Sequence, residues 1–240
     1  LSYAQRLRDG VFMQMEFGAG FSAVFSDLGR AGAGFSHERI YPHGEGDTQY
    51  GTSEKNSVTA SLDWTGNRMS DIFPRLEQLD LGVSYGVRTE EGETANETIV
   101  SSELVTPVWG RRALQVRVHA GMRAAFRSGD QYPAYLTVPF GGSHTVRGHR
   151  DGELYILRGV WAQNELLLLR GGGSDFHLFL DQAVTSSPVD DSTLVTSHLS
   201  GFGGGIRAQT GAGLLELDLA LTPGKGFGEA RIHVGFREEF

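Results

Sequence analysis

Apolar and polar residues alternate along most of this chain, and that period of two most constrains its fold. Val11, Met13, Met15 and Phe17 fall on one side of an extended segment, continued by Ala19, Phe21, Ala23 and Phe25, with Gln14 and Glu16 on the other. Val58, Ala60, Leu62 and Trp64 alternate with Thr59, Ser61 and Asp63, and Leu79, Leu81, Val83, Tyr85 and Val87 with Asp80, Gly82, Ser84 and Gly86. Leu114, Val116, Val118, Ala120 and Met122 repeat the pattern, as do Leu215, Leu217, Leu219 and Leu221. Side chains of a strand point alternately to its two faces, so each segment gains one apolar and one polar side. Arg117, Arg123, Glu216 and Asp218 sit mid-strand on the polar side. A soluble sandwich turns that side to water. A membrane barrel turns it to the lumen and the apolar side to lipid.

No run approaches the roughly 18 consecutive apolar residues of a membrane-spanning helix, which excludes a helical membrane protein. A β-barrel is compatible, because alternation keeps mean hydropathy low. The 34 glycines against seven prolines suit tight turns, bulges and close backbone approaches. Cysteine is absent, so neither disulfides nor thiolate metal sites are available, and a net charge of −8 argues against a nucleic-acid surface. Pro42–Ser57, Arg88–Glu97 and Thr185–Ser197 read as polar connections, and Gln209–Gly213 as a tight turn. About eleven strands of spanning length are visible, and barrels of bacterial origin carry an even number, so one more is expected. The reading is all-β: one transmembrane antiparallel barrel over residues 1–240, of about 11 to 12 strands. Leu1 is no initiator and no leader precedes Tyr3, so the chain reads as a mature form or a fragment.

Three motifs add to the pattern. Pro139-Phe140-Gly141-Gly142 precedes Val146-Arg147-Gly148-His149; Phe179-Leu180-Asp181-Gln182-Ala183 follows in a later strand; and a last strand over 229–240 carries Ile232, Val234 and Phe236 on one side and ends on Phe240. Together they resemble the BamA/TamA-type outer-membrane β-barrels. The resemblance implies that residues 133–153 form a loop folded back into the barrel lumen. It names Arg147 as the loop's anchor, Asp181 as its partner on the wall and Glu165 as a second acid. Arginine suits the task, because its guanidinium stays charged and meets a carboxylate in a forked geometry. Gly148 permits close approach to the wall, and the Gly141–Gly142 pair permits sharp re-entry. His149 stands where the family has Tyr or Phe, Ala183 where it has Gly, and Glu238 where many terminal signals are apolar. The family pattern has five strands after the loop. Five are read here: near Tyr155–Leu169, Asp175–Thr185, Gly201–Gln209, Gly213–Thr222 and Glu229–Phe240. The resemblance also implies about sixteen strands in all; about six are read before the loop, so these residues would be part of such a barrel. No POTRA repeat is read.

The resemblance implies a bacterial outer-membrane protein that inserts or translocates other proteins. Its partners would be outer-membrane lipids, lipopolysaccharide, and client or partner membrane proteins. The alternatives from other classes are a non-insertase scaffold or pore in an envelope complex, and a membrane anchor for an upstream enzyme domain. No catalysis, cofactor, metal or nucleic-acid partner is expected. The eight histidines lack ligand-like spacing, and His119, His177 and His233 fall on polar strand sides. Gly224–Gly228 reads as a turn rather than a phosphate cradle, Asp190-Asp191 as an acidic loop, and Ser143-His144 as loop residues rather than a nucleophile and base.

Overall fold

The computed structural model describes residues 2–8, 12–26, 29–42, 52–65, 77–90, 92–111, 114–129, 132–171, 174–190, 192–211 and 213–237. Among them are fourteen strands: β1 (Ser2–Arg8), β2 (Phe12–Ser26), β3 (Gly29–Pro42), β4 (Ser53–Thr65), β5 (Gln78–Glu90), β6 (Glu93–Arg111), β7 (Leu114–Arg127), β8 (Val138–Phe140), β9 (Leu154–Ile156), β10 (Arg158–Gly171), β11 (Ser174–Pro188), β12 (Leu194–Thr210), β13 (Gly213–Leu221) and β14 (Arg231–Arg237). Twelve pair in chain order in one antiparallel sheet, and β8 and β9 form a separate hairpin between β7 and β10. The even count expected of a barrel is therefore met among the described residues: seven sheet strands precede the hairpin and five follow it.

Three expected connections shorten, the first because β4 begins at Ser53, inside the expected Pro42–Ser57 segment. Arg88 lies inside β5, which runs to Glu90, and Glu97 inside β6, which starts at Glu93; β11 runs to Pro188 and β12 begins at Leu194, both inside the expected Thr185–Ser197 connection. The latter two segments escape the alternation because their outward positions, Thr89, Thr94 and Asn96 in one and Ser186 and Thr196 in the other, are polar. The last strand starts later than expected, since Phe227–Glu229 form a 3-10 turn. Phe240 and Glu238 lie outside the described residues.

The chain divides into two compact units. In the first (Leu1–Trp64, Asp80–Ser102 and Ala124–Gln131), the β2–β3–β4 register aligns Ala19, Phe35 and Val58 on one face and Gly20, Gly34 and Thr59 on the other. Its polar face holds a buried ion network. Arg88 donates to Glu97 at 2.9 Å, to Ser53 at 2.9 Å and to Glu38 at 2.6 Å, and Lys55 lies 3.0 Å from Glu97. One guanidinium thereby joins four strands.

In the second unit (Thr65–Leu79, Glu103–Arg123 and Tyr132–Phe240), β10 to β14 stack their apolar side chains in register. Leu168, Phe176, Ile206, Leu217 and Val234 form one level, and Leu166, Leu178, Gly204, Leu219 and Ile232 the next. Leu215 and Phe236 lie below; Leu180, Phe202 and Leu221 lie above. Four levels of two residues each, at about 3.3 Å per residue and a tilt of about 40°, span roughly 20 Å, near the apolar height of a membrane barrel. Beyond them come Ala162, Gln182 and Ser200. This belt is open: Leu178, Ile232 and Val234 are 63%, 68% and 69% exposed. A water-soluble protein does not leave so large a contiguous apolar face uncovered, whereas lipid covers it at no cost.

Candidate functional site

The opposite face of β10 to β13 receives the loop. The β8–β9 hairpin pairs Val138 with Ile156 and Phe140 with Leu154, and residues 141–153 form its tip. Gly141 and Gly142 turn the chain at φ 112° and 90°, conformations that favour glycine. Thr145 closes the turn: its hydroxyl accepts the Gly141 N–H, and its N–H donates to the Gly142 carbonyl. Phe140, Val146, Ile156 and Ala183 then make a small apolar core, with Trp161 and Leu199 against it. Phe140 meets the Trp161 ring edge-on at 5.6 Å. The Ala183 methyl is part of this core.

Arg147 follows Val146 and is 2% exposed. Its Nε and Nη2 donate to the two oxygens of Asp181, each at 2.8 Å, and its backbone N–H adds a third bond at 2.9 Å. Nη1 reaches Glu165 at 2.9 Å and Asp218 at 3.1 Å. The guanidinium carbon lies 3.7 Å from the centre of the Phe179 ring, so the group is held by charge on its edges and an aromatic on its face. Burial alone would loosen the arginine's proton. The hydrogen bond and charge of Asp181, with Glu165 and Asp218, outweigh that and raise its pKa further.

Asp181 and Glu165 thus both meet Arg147, and the network extends beyond them. Arg207 donates to Glu165 at 2.7 Å and to Glu216 at 3.0 Å, and Arg117 lies 3.5 Å from Glu165. His177 sits between Asp218 at 2.7 Å and Asp175 at 3.2 Å. Glu165, His177 and Glu216 each bring a possible ligand atom within 4.8 Å of the others. The Arg207 guanidinium already joins the two glutamates, so the place a metal ion would take is held by an organic cation.

Three glycines share one face of β12, and the first makes room for the tip. A Cβ at Gly201 would run into the Arg147 carbonyl, one at Gly203 into the Leu219 carbonyl and one at Gly205 into Asp218. Side chains at i, i+2 and i+4 of a strand share a face, so the Gly201-x-Gly203-x-Gly205 spacing leaves that face bare: Gly201 meets the loop, Gly203 lies against Phe179 and Gly205 against the His177–Asp218 contact. Gly148, at φ 95°, completes the docking: its carbonyl accepts the Thr222 hydroxyl at 2.9 Å. His149 is buried, with Nδ1 3.7 Å from Glu153. Glu153 accepts the Arg150 N–H, which holds its carboxyl below the usual range. Elsewhere, Asp190 accepts two backbone N–H groups and the Ser192 hydroxyl, and so caps a turn. Ile232, Val234 and Phe236 face outward in the belt, away from the site.

Neither a family model nor a curated protein sequence matches the chain. Solved structures do resemble it. BamA from Haemophilus ducreyi, in a crystal structure lacking POTRA domains 1–3, matches at a TM-score of 0.62 and 12% identity over 94% of this chain. CdiB from Acinetobacter baumannii matches at a TM-score of 0.58 and 16% identity over 88%. The chain spans 54% and 38% of the length of those two structures. At such identities the likeness shows the fold: a transmembrane antiparallel β-barrel of the outer-membrane kind.

Proposed function

We propose that this chain belongs to an outer-membrane barrel of the BamA/TamA type, set in a bacterial outer membrane, that inserts or translocates other proteins. The supporting observation is the loop: the Val146-Arg147-Gly148 tip lies on the polar face of the wall, with Arg147 forked onto Asp181. In a barrel whose apolar face meets lipid, that polar face lines the lumen. A loop fixed there narrows the lumen and braces the strands β10 to β13 without any bond-making chemistry. Clients would be unfolded membrane strands, which can pair with exposed backbone at a strand edge. The apolar belt would face membrane lipids, with lipopolysaccharide in the outer leaflet.

The test is kinetic. The purified protein, together with whatever precedes or follows these residues in the full-length form, is reconstituted into liposomes. A urea-unfolded eight-stranded outer-membrane barrel is then added as client. Faster client folding than with empty liposomes supports the proposal, and the acceleration should fall in Arg147→Ala. No acceleration overturns it and leaves the scaffold, pore or anchor readings.

A further inference from the structure

We propose that His177 is a positioning residue for the loop: through Asp218 it steadies Arg147, and it does so only while its ring carries both protons. The inference rests on the reading of residues 141–153 as a loop pinned by Arg147.

The His177 side chain is fully buried on β11. Its Nε2 faces Asp218 Oδ1 at 2.7 Å and its Nδ1 faces Asp175 Oδ1 at 3.2 Å. A carboxylate only accepts hydrogen bonds, and a neutral imidazole has a single N–H to give. The charged ring alone can satisfy both partners. The other oxygen of Asp218 accepts from Arg147, so Asp175, His177, Asp218 and Arg147 form one chain of bonds from the wall to the loop tip.

The surrounding charges favour the same state. The network around the ring brings Glu165 from β10, Asp175 and Asp181 from β11, Arg207 from β12, Glu216 and Asp218 from β13 and Arg147 from the loop; Arg117 of β7 reaches Glu165, and His233 of β14 pairs with Asp218 across the ladder and accepts the Gly148 N–H at 3.4 Å. Five carboxylates thus meet three guanidinium groups, and a charged His177 narrows the deficit. Gly205 pairs with His177 across the ladder, and a Cβ there would fall 2.6 Å from His177 Nε2 as well as onto Asp218. The bare position keeps the contact closed.

Loss of the proton turns one ring nitrogen's lone pair toward a carboxylate. Asp218 then swings, or Asp175 does, and in the first case Arg147 loses one of its three acceptors. Asp181 still grips it from two sides, so the loop loosens rather than leaves. Linkage to one proton lets the docked-to-undocked ratio fall by up to about tenfold per pH unit as pH rises through the transition.

The chain has no cysteine, so His144→Cys, at an exposed loop position, offers a single spin-label site. The labelled protein is followed by electron paramagnetic resonance in detergent micelles from about pH 5 to pH 9, the range of histidine titration. In the otherwise unchanged chain the immobilised fraction should fall with rising pH in one single-proton step. His177→Gln, whose amide donates from one nitrogen, should flatten the profile. Asp175→Asn should move the step to lower pH, because one carboxylate fewer holds the proton. Arg147→Ala should free the label at every pH. If Arg147→Ala leaves the label immobilised, the pinned-loop reading fails and takes this inference with it. If Arg147→Ala frees the label but the profile is flat, or the step survives in His177→Gln, the inference alone fails. Should His177→Gln not fold, Asp175→Asn decides, and an unmoved step overturns the proposal.

Discussion

Removing the Arg147 side chain should undock the loop, and the structure says where the loss falls. Arg147→Ala leaves three buried acids behind. Glu165 keeps Arg207 and Arg117, and Asp218 keeps His177. Asp181 is fully buried, and every described hydrogen bond to its carboxylate comes from Arg147. Breaking a buried pair by deleting one partner costs about 3–5 kcal/mol, because the other charge remains buried. That corresponds to about a 100- to 3,000-fold shift toward the undocked loop, at about 1.4 kcal/mol per factor of ten. Trypsin can read it. Arg150 is exposed but held in a turn by Glu153, so cleavage there should follow loop opening. Nicking after Arg150 should accelerate about 100-fold or more in Arg147→Ala and comparably in Asp181→Ala. The double variant should nick no faster than either single one, because removing both partners leaves no orphaned charge. The charge exchange Arg147→Asp with Asp181→Arg should recover part of what each single exchange loses. Additive losses in the Ala cycle, with no recovery in the exchange, would refute direct pairing as the loop's anchor.

Other perturbations separate the parts of the account. Gly201→Ala places a methyl against the Arg147 carbonyl and should cost docking about 1–3 kcal/mol, read as faster tryptic nicking with the barrel still folded by heat-modifiable gel mobility. Arg88→Leu leaves Glu97, itself fully buried, with Lys55 and should lower stability by about 3–5 kcal/mol in urea unfolding from micelles. Leu178→Arg, in the middle of the belt, should cost about 2–4 kcal/mol of folding into vesicles, and Gln182→Arg, above the belt, about 0–1 kcal/mol; equal costs would contradict the assigned belt.

Strands whose apolar residues alternate cleanly were legible from sequence, and β2, β11 and β13 show why. Leu215, Leu217, Leu219 and Leu221 share one face by spacing alone, and the register places three of them beside β14's Phe236, Val234 and Ile232. The segments hidden from periodicity are those whose outward positions are small or polar. β3 turns Ala31 and Ala33 to one side and Gly32 and Gly34 to the other, and the first turn of β12 offers Thr196 and His198. Arg147, Asp181 and Glu165 were readable because a motif named them. Asp218, Arg207 and His177 were not, because the polar face of every strand carries charges and only three-dimensional register decides which of them meet. The Gly201, Gly203 and Gly205 track did leave a signal: three glycines on one strand face mean something lies against it. What lies there is Arg147 at Gly201, Phe179 at Gly203 and the His177–Asp218 contact at Gly205, and Arg147 is 54 residues from Gly201 in the chain, beyond any local pattern.

The most direct test of the account is a nitroxide scan along β11, one introduced cysteine at a time from Phe176 to Val184, in lipid vesicles. Phe176, Leu178 and Leu180 belong to the apolar belt, and His177, Phe179, Asp181 and Ala183 to the polar face, the last three beside the loop. High oxygen accessibility is predicted at 176, 178 and 180, alternating with immobilised, shielded labels at 179 and 183, and those two labels should be released when Arg147→Ala undocks the loop. Labels at 176, 178 and 180 in water, or labels at 179 and 183 indifferent to Arg147→Ala, would contradict the account.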